Sequence, residues 1–349
     1  MNKFGLKIGL FCLILITIAK VTTAYLPYHW GNPWYSTKIN YLNNLDSANY
    51  NTYFFGTSRI YRQINPVVFD SICNISCKET ISSFNLGAQA TFSPQSYYLY
   101  EKFLNSELNK DVKYCFLELT HISFISDFFL HREQTNYWLD LSELKFVINS
   151  FINNPHVSLK NKKKQLKRYV LSYIENTIHW GHFGEHIMNS NFYDTRYLGK
   201  LKNGFFPMDL DFETTNDKFV KDHYQLINNT MLNDTSILNK NFEISKSHYN
   251  NISKDYDKAH YNRLLSLIDL SKKKGINLIL LLSPRNSSKD LLKLMQMIPE
   301  DNKIDMAIPL KENKPYYTIS NSFDRGHLNS NGANLYSEGV AKKFSTIIN

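Results

Sequence analysis

Three side chains scattered along the chain have the types that acyl transfer requires: the hydroxyl of Ser58, the imidazole of His327 and the carboxylate of Asp324. Ser58 follows Tyr53-Phe54-Phe55-Gly56-Thr57, an apolar run that reads as a buried strand closing on a glycine. Glycine there permits a tight turn that presents the hydroxyl at the rim of a sheet. Asp324 stands three residues before His327, across a turn loosened by Gly326, a spacing that lets a carboxylate orient an imidazole. His327 can then take the proton of Ser58, which is the nucleophile, base and orienter arrangement of a serine acyl-transfer centre. The tetrahedral oxyanion needs donors, and the backbone amides of Ser58 and Gly87 are the candidates, because both follow strands and can point into one crevice. Ile60 stands where Gly-x-Ser-x-Gly has its last glycine, so the nucleophile elbow of α/β-hydrolases is not present.

To bring position 58 to position 327 the chain must fold into a layered sheet. Short apolar runs alternate with helix-like stretches: strands at 53–55, 81–86, 114–119, 276–282 and 304–308, and helices opening at Pro66, after Ser93-Pro94, over 257–274, near 290–297 and over 331–347. Continuous apolar strands between helices predict a parallel sheet covered on both faces, a flavodoxin-like doubly wound α/β class. Ligands then sit outside the C-terminal strand ends, near a switch in strand order. This directs attention to Gly56–Arg59, Gly87–Gln89, Thr120-His121, Ser283–Arg285 and Asp324–His327. Between about 128 and 254 the rhythm fails. That stretch is too long for an ordinary loop and reads as a mostly helical insertion within one domain spanning 25–349.

The N-terminus is an address. Lys3 and Lys7 precede an apolar run of about 12 residues, Ile8–Ala19, within the range of a signal-peptide core. Thr22-Thr23-Ala24 supplies small residues for cleavage. If Lys20 snorkels, the run extends to about Leu26, nearly the ~20 residues of a spanning helix. Residues 1–24 are thus a cleaved signal peptide or an uncleaved anchor, and either puts the body outside the cytoplasm, in the periplasm or at the cell surface. Four cysteines, one of them in this segment, leave an odd number in the body. Cys73 and Cys77 can pair only under strain, and Cys115 reads as a small buried hydrophobe. The net charge of +9 over 349 residues fits acidic polymers or anionic lipid without choosing between them. Nucleic acid is not expected, since the N-terminal address points away from it.

Four stretches, Phe-Phe-Gly-Thr-Ser-Arg (54–59), Phe-Asn-Leu-Gly-Ala (84–88), Phe-Leu-Glu-Leu-Thr (116–120) and Asp-Arg-Gly-His-Leu-Asn-Ser-Asn-Gly-Ala (324–333), occur in an order that resembles the SGNH (GDSL-like) hydrolase superfamily. The likeness is to its extracytoplasmic, membrane-anchored branch of polysaccharide O-acetyltransferases, and it covers roughly half of the chain. It implies a three-layer α/β/α sandwich in which Ser58 is the nucleophile, His327 the base, Asp324 its partner, and the Ser58 and Gly87 amides the oxyanion hole. The implied activity is that of a serine esterase or O-acyltransferase, acting through an acyl-serine on acyl groups, chiefly acetyl, of a cell-surface glycan. A membrane-embedded partner in acyl transfer is implied with it. The alternatives are a non-catalytic glycan-binding or assembly protein of the cell envelope and, third, a lipid esterase. The family's Gly-x-Asn-Asp block, which supplies a side-chain oxyanion donor, is missing here. Thr120-His121 takes its place, making Thr120 a further candidate donor and His121 a substrate contact. Losing one such donor costs about 10²–10³ in rate.

Other residues are weighed on their own chemistry. Arg59 and Arg285 both follow strands at the rim and are candidates to clamp an anionic substrate group. No cofactor is called for. His179, His182 and His186, with Glu185, have metal-ligand types, but two intervening glycines argue against a rigid presentation, so no metal is expected. The basic run Lys160–Arg168 reads as a solvated helix face, and Trp138 and Trp180 as packing residues before sugar platforms.

Overall fold

The computed structural model describes residues 3–45, 50–122, 130, 132, 137–155, 157–178 and 193–349. At its centre are five parallel strands: β1 (Thr52–Phe55), β2 (Ser83–Asn85), β3 (Tyr114–Glu118), β4 (Asn277–Leu282) and β5 (Lys303–Asp305), in the order β2-β1-β3-β4-β5. The order reverses between β1 and β3, which makes the crevice at their C-terminal ends the place where a doubly wound sheet binds ligands.

Alternation along the strands assigns the two faces. Tyr53, Phe55, Cys115, Leu117, Leu278, Leu280 and Leu282 enter one core, with α2 (Pro33–Asn43), α5 (Gln95–Leu104), α11 (Lys258–Lys273) and α12 (Lys289–Met297). Phe54, Phe116, Ile279, Leu281 and Ile304 enter the other, with α3 (Ser58–Gln63), α4 (Pro66–Ser76) and α13 (Ser330–Ile348). Both faces being covered, the central strands β1, β3 and β4 carry apolar residues toward both layers with little polar alternation, while the edge strands β2 and β5 do alternate. On the second face Phe54 stacks on Phe116 at 4.5 Å between ring centroids and meets Phe69 edge-on at 4.9 Å. The result is the expected three-layer α/β/α sandwich.

Between β3 and β4 lie α6 (Leu141–Asn153), α7 (Leu159–Ile178), α8 (Met208–Thr214), α9 (Lys218–Asn233) and α10 (Ser236–Asn250), so the stretch that breaks the rhythm is largely helical. The N-terminal α1 (Lys3–Tyr25) is long and apolar enough to cross a membrane, and Ala19 is its one buried residue.

The helix that opens after Ser93-Pro94 runs from Gln95 to Leu104, and Ser93 Oγ accepts from the Thr120 hydroxyl. Ser58–Gln63 is itself a helix, and α2 was not anticipated. Cys73 and Cys77 are both free thiols, with Cys77 Sγ donating to Ser345 Oγ at 3.2 Å. Trp138 is wholly buried, as packing predicts. The histidine cluster 179–186 and Trp180 lie outside the described residues.

Replacing Phe54 by Ala removes the central ring of the aromatic stack from a rigid core. Unfolding free energy measured by urea titration should fall by about 3–5 kcal/mol.

Candidate active site

The turn after β1 is built by close approach. A Cβ at Gly56 would lie 2.5 Å from Ile60 Cγ1 and 2.6 Å from Glu118 Cβ, so only glycine lets β1 pass into α3 here. Thr57 is the N-cap of α3 and accepts from the Arg59 amide at 3.1 Å. Ser58 is the first helical residue, and its hydroxyl emerges at the crevice between β1 and β3.

Glu118, at the end of β3, secures this turn. Its carboxylate accepts from the Thr57 amide at 2.8 Å and the Thr57 hydroxyl at 2.7 Å through one oxygen, and from Ser283 Oγ at 3.0 Å through the other. One buried side chain thereby joins the ends of β1, β3 and β4. Sequence reading gave Glu118 no role; a carboxylate in the otherwise apolar strand Tyr-Cys-Phe-Leu-Glu is the signal it passed over.

The histidine arrives from the far end of the chain. Ser58 Oγ lies 2.9 Å from His327 Nε2, across 269 positions of sequence. His327 Nδ1 lies 2.9 Å from Asp324 Oδ2 and 3.2 Å from Oδ1. An ionised carboxylate only accepts, so Nδ1 carries the proton and Nε2 is free to accept from Ser58. Asp324 Oδ1 also accepts from the amides of Gly326 and His327. Burial pushes the Asp324 carboxyl up, but the facing imidazole and these amides outweigh it and hold the group at about 2.

Arg285, proposed from its position as a substrate clamp, does different work. Its guanidinium is half-buried and donates to Tyr316 O at 2.9 Å, Asp324 O at 2.9 Å and His327 O at 3.4 Å, as well as to Ser322 Oγ. It braces the histidine loop from behind, and its donors are spent on main-chain carbonyls. Burial lowers it to about 10, with Tyr317 and Asp324 acting in the opposite sense. The loop is held on its other side by the inserted helices: Asn228 of α9 donates to Phe323 O at 2.6 Å, and Asp209 of α8 accepts from the Ser330 amide at 3.0 Å.

Arg59 contrasts with Arg285. Among the described residues no carboxylate lies within ion-pair distance of it, and its buried Nε has no partner. It stands beside Ser58 with a charge unspent. His121 lies 3.7 Å from Asp290 of α12, on the face of the sheet opposite α3, and is not brought to Ser58.

The expected oxyanion donors are differently placed. The Gly87 amide donates to Asn85 Oδ1 at 2.9 Å. Asn85 Nδ2 donates in turn to Ile60 O at 2.7 Å and Ile64 O at 2.8 Å, which ties β2 to α3. Thr120 is buried, its hydroxyl donating to Ser93 Oγ at 2.9 Å and accepting from the Ser93 amide at 2.7 Å. The Ser58 amide, in the first turn of α3, has no acceptor among the described residues. Sequence reading also missed Lys38 of α2, which is wholly buried and donates to Gly87 O at 2.6 Å and Gly204 O at 2.7 Å. Burial, then the nearby Arg62, pulls its ammonium well below the ordinary lysine value.

A cavity of about 320 Å³ opens beside α3, lined by Trp34, Arg62, Gln89, Tyr197, His223 and Tyr224 among others. Ser58, Asp324 and His327 do not line it; Arg62, one helical turn beyond Ser58, is its link to α3. Trp34 and Tyr197 form one wall, their ring centroids 5.4 Å apart and their planes 31° from parallel.

Compared with protein-family models and with curated proteins, the chain matches none of either. What can be said of its chemistry therefore rests on the site itself.

The ionised form of Asp324 favours the folded state, because its folded value lies below the ordinary 3.8. That contribution is complete above roughly pH 5 and is lost as pH falls through 3.8 toward 2. Wild-type stability, followed by urea titration at successive pH values, should fall more steeply between pH 5 and 2 than that of Asp324→Asn. Parallel curves would show that the carboxylate is not held as described.

Proposed function

We propose that this protein is a serine acyl-transfer enzyme of the cell envelope, an esterase or O-acyltransferase that moves an acyl group, chiefly acetyl, on a surface glycan. The observation that carries the reading is the unbroken chain from Ser58 Oγ to His327 Nε2, and from His327 Nδ1 to Asp324, at 2.9 Å for each step.

In that chemistry Ser58 Oγ attacks the carbonyl carbon of an acyl ester as its proton passes to His327 Nε2. The imidazolium formed is stabilised by Asp324 through Nδ1. The tetrahedral intermediate collapses, the alcohol leaves with the proton held on Nε2, and the acyl group remains on Ser58. A hydroxyl of the acceptor, or water, then gives its proton to Nε2 and attacks the acyl-serine, restoring the serine hydroxyl. Nothing in these steps requires a metal or cofactor; the chain's own groups carry every proton.

The Ser58 amide is the donor available to the oxyanion without rearrangement. The Gly87 amide joins it only if the Asn85 carbonyl gives way. The aromatic wall of Trp34 and Tyr197 suits the apolar face of a sugar ring, with Gln89 and His223 offering polar contacts. Arg59, with its unspent charge beside the nucleophile, suits an acidic group of the donor or acceptor. α1, as a signal sequence or an anchor, supports an extracytoplasmic setting.

A second reading has its own support. With the Gly87 amide and the Thr120 hydroxyl both engaged, the site as folded is short of oxyanion donors, as a glycan-binding or assembly protein that keeps the fold without the reaction would be.

A fluorophosphonate probe should label the wild type and leave Ser58→Ala unlabelled, with labelling of His327→Ala reduced at least about 10²-fold. Equal labelling of wild type and Ser58→Ala, or no labelling of the folded wild type alongside retained glycan binding, favours the second reading. Arg59→Ala should raise KM for an ester with an acidic alcohol group about tenfold or more, with little change for a neutral ester. An equal effect on both esters would remove Arg59 from substrate recognition.

A further inference from the structure

Helix α7 (Leu159–Ile178) is fixed to the body along one side. Tyr169 and Ser172 are its buried residues; Tyr169 packs on Phe151 with ring centroids 5.6 Å apart, and Ser172 Oγ donates to Leu130 O at 2.6 Å. The opposite side carries an exposed stripe at helical spacing. Lys160, Lys163, Lys164 and Lys167 occupy its first half, and Val170, Leu171 and Ile174 continue it in the second. All seven residues fall on one face of a helix about 30 Å long. The docked side being fixed by Tyr169 and Ser172, none of the three exposed apolar side chains can turn into the core.

This stripe is on a helix that packs beside a candidate membrane span. α1, long and apolar enough to span, packs against α7. The single buried residue of α1, Ala19, lies toward its C-terminal end, so α1 meets the body at the end from which the chain leaves the apolar stretch. A surface helix with lysines followed by aliphatic residues on one face has the composition of a segment lying in the headgroup region, where cations meet lipid phosphates and aliphatic side chains enter the acyl boundary.

We infer that the exposed face of α7 rests on an anionic lipid bilayer, as a second membrane contact beside α1. The inference rests on α1 remaining attached and is independent of the chemistry at Ser58. Two contacts would hold the body in one orientation over the bilayer, since one helix alone leaves it free to swivel.

The test uses the full chain in nanodiscs of 70:30 phosphatidylcholine and phosphatidylglycerol, with a photoreactive benzoyl-phenylalanine placed at Leu171. The same residue at Phe4 reports insertion of α1, and at Phe219, an exposed position on α9, reports random contact. Irradiation should yield lipid adducts, read by mass, at positions 4 and 171 and none at 219. Replacing Lys160, Lys163, Lys164 and Lys167 together by Glu should lower the adduct at 171 at least about tenfold while leaving that at 4 and the circular dichroism unchanged. Pure phosphatidylcholine should lower the adduct at 171 likewise. An adduct at 4 with none at 171 in the anionic discs overturns the inference. So does an adduct at 171 indifferent to both lipid charge and the four substitutions, or crosslinking at 171 to a second protein copy in place of lipid. Binding of an acidic polysaccharide that displaces the adduct at 171 would assign the lysines to that polymer instead.

Discussion

Holding an imidazole at hydrogen-bond distance from a hydroxyl 269 positions away depends on the guanidinium of Arg285. Arg285 follows β4 and directs its donors at the main-chain carbonyls of Tyr316, Asp324 and His327. A loop that must expose a catalytic-type side chain has few backbone partners of its own, and a charged fork with several donors supplies them in a fixed geometry. The pairing needs no carboxylate, because the carbonyls spread the charge. Arg285 itself takes a left-handed backbone, φ 61°, which turns the chain just after β4 so that the side chain can reach back to the loop.

The serine side has its counterpart in Glu118. A buried carboxylate is costly unless its lone pairs are filled, and here an amide and two hydroxyls fill them. Because its partners come from the ends of β1 and β4, the same side chain that is satisfied by them also fixes where the turn at Gly56 begins. Serine and histidine are thus each positioned by a charged side chain at a strand end, Glu118 on β3 and Arg285 after β4. The triad geometry is a property of the sheet rim and not of either loop alone.

The inserted helices are part of this construction. Asn228 and Asp209 grip the two ends of the histidine segment, and the network of Arg62 with Asp211 at 2.7 Å and Tyr224 at 3.0 Å joins α3 to α8 and α9. Lys38 works the same way from α2, gathering the carbonyls of Gly87 and Gly204 beside the Tyr61 ring, 4.1 Å from its centroid. Arg62, Asp211 and Tyr224 of this network also line the cavity of Trp34 and Tyr197. These contacts draw the Gly87 loop into the protein's own hydrogen bonds, with its amide on Asn85 and its carbonyl on Lys38.

Much of this architecture was legible in the residues. Apolar runs between helical stretches determine a parallel sheet buried on both faces, since only that environment accepts aliphatic and aromatic side chains on both sides of β1, β3 and β4. The Gly-Thr-Ser turn and the Asp-x-x-His turn were legible because each depends on neighbours a few residues apart. The roles of Arg285, Thr120 and His121 were not, because residues at strand ends share a rim without sharing a direction. Arg285 was read as reaching for substrate and turns back to the main chain; Thr120 is closed off by Ser93, and His121 goes to the far face. Lys38, Asn85 and Asn228 were invisible for a related reason: a polar side chain that satisfies a distant carbonyl or amide carries no local pattern. The sequence by itself thus determined the layers and the chemical types at the site. Only the tertiary structure decided which charges are spent inside the protein and which, as at Arg59, remain, because that depends on partners brought together across hundreds of residues.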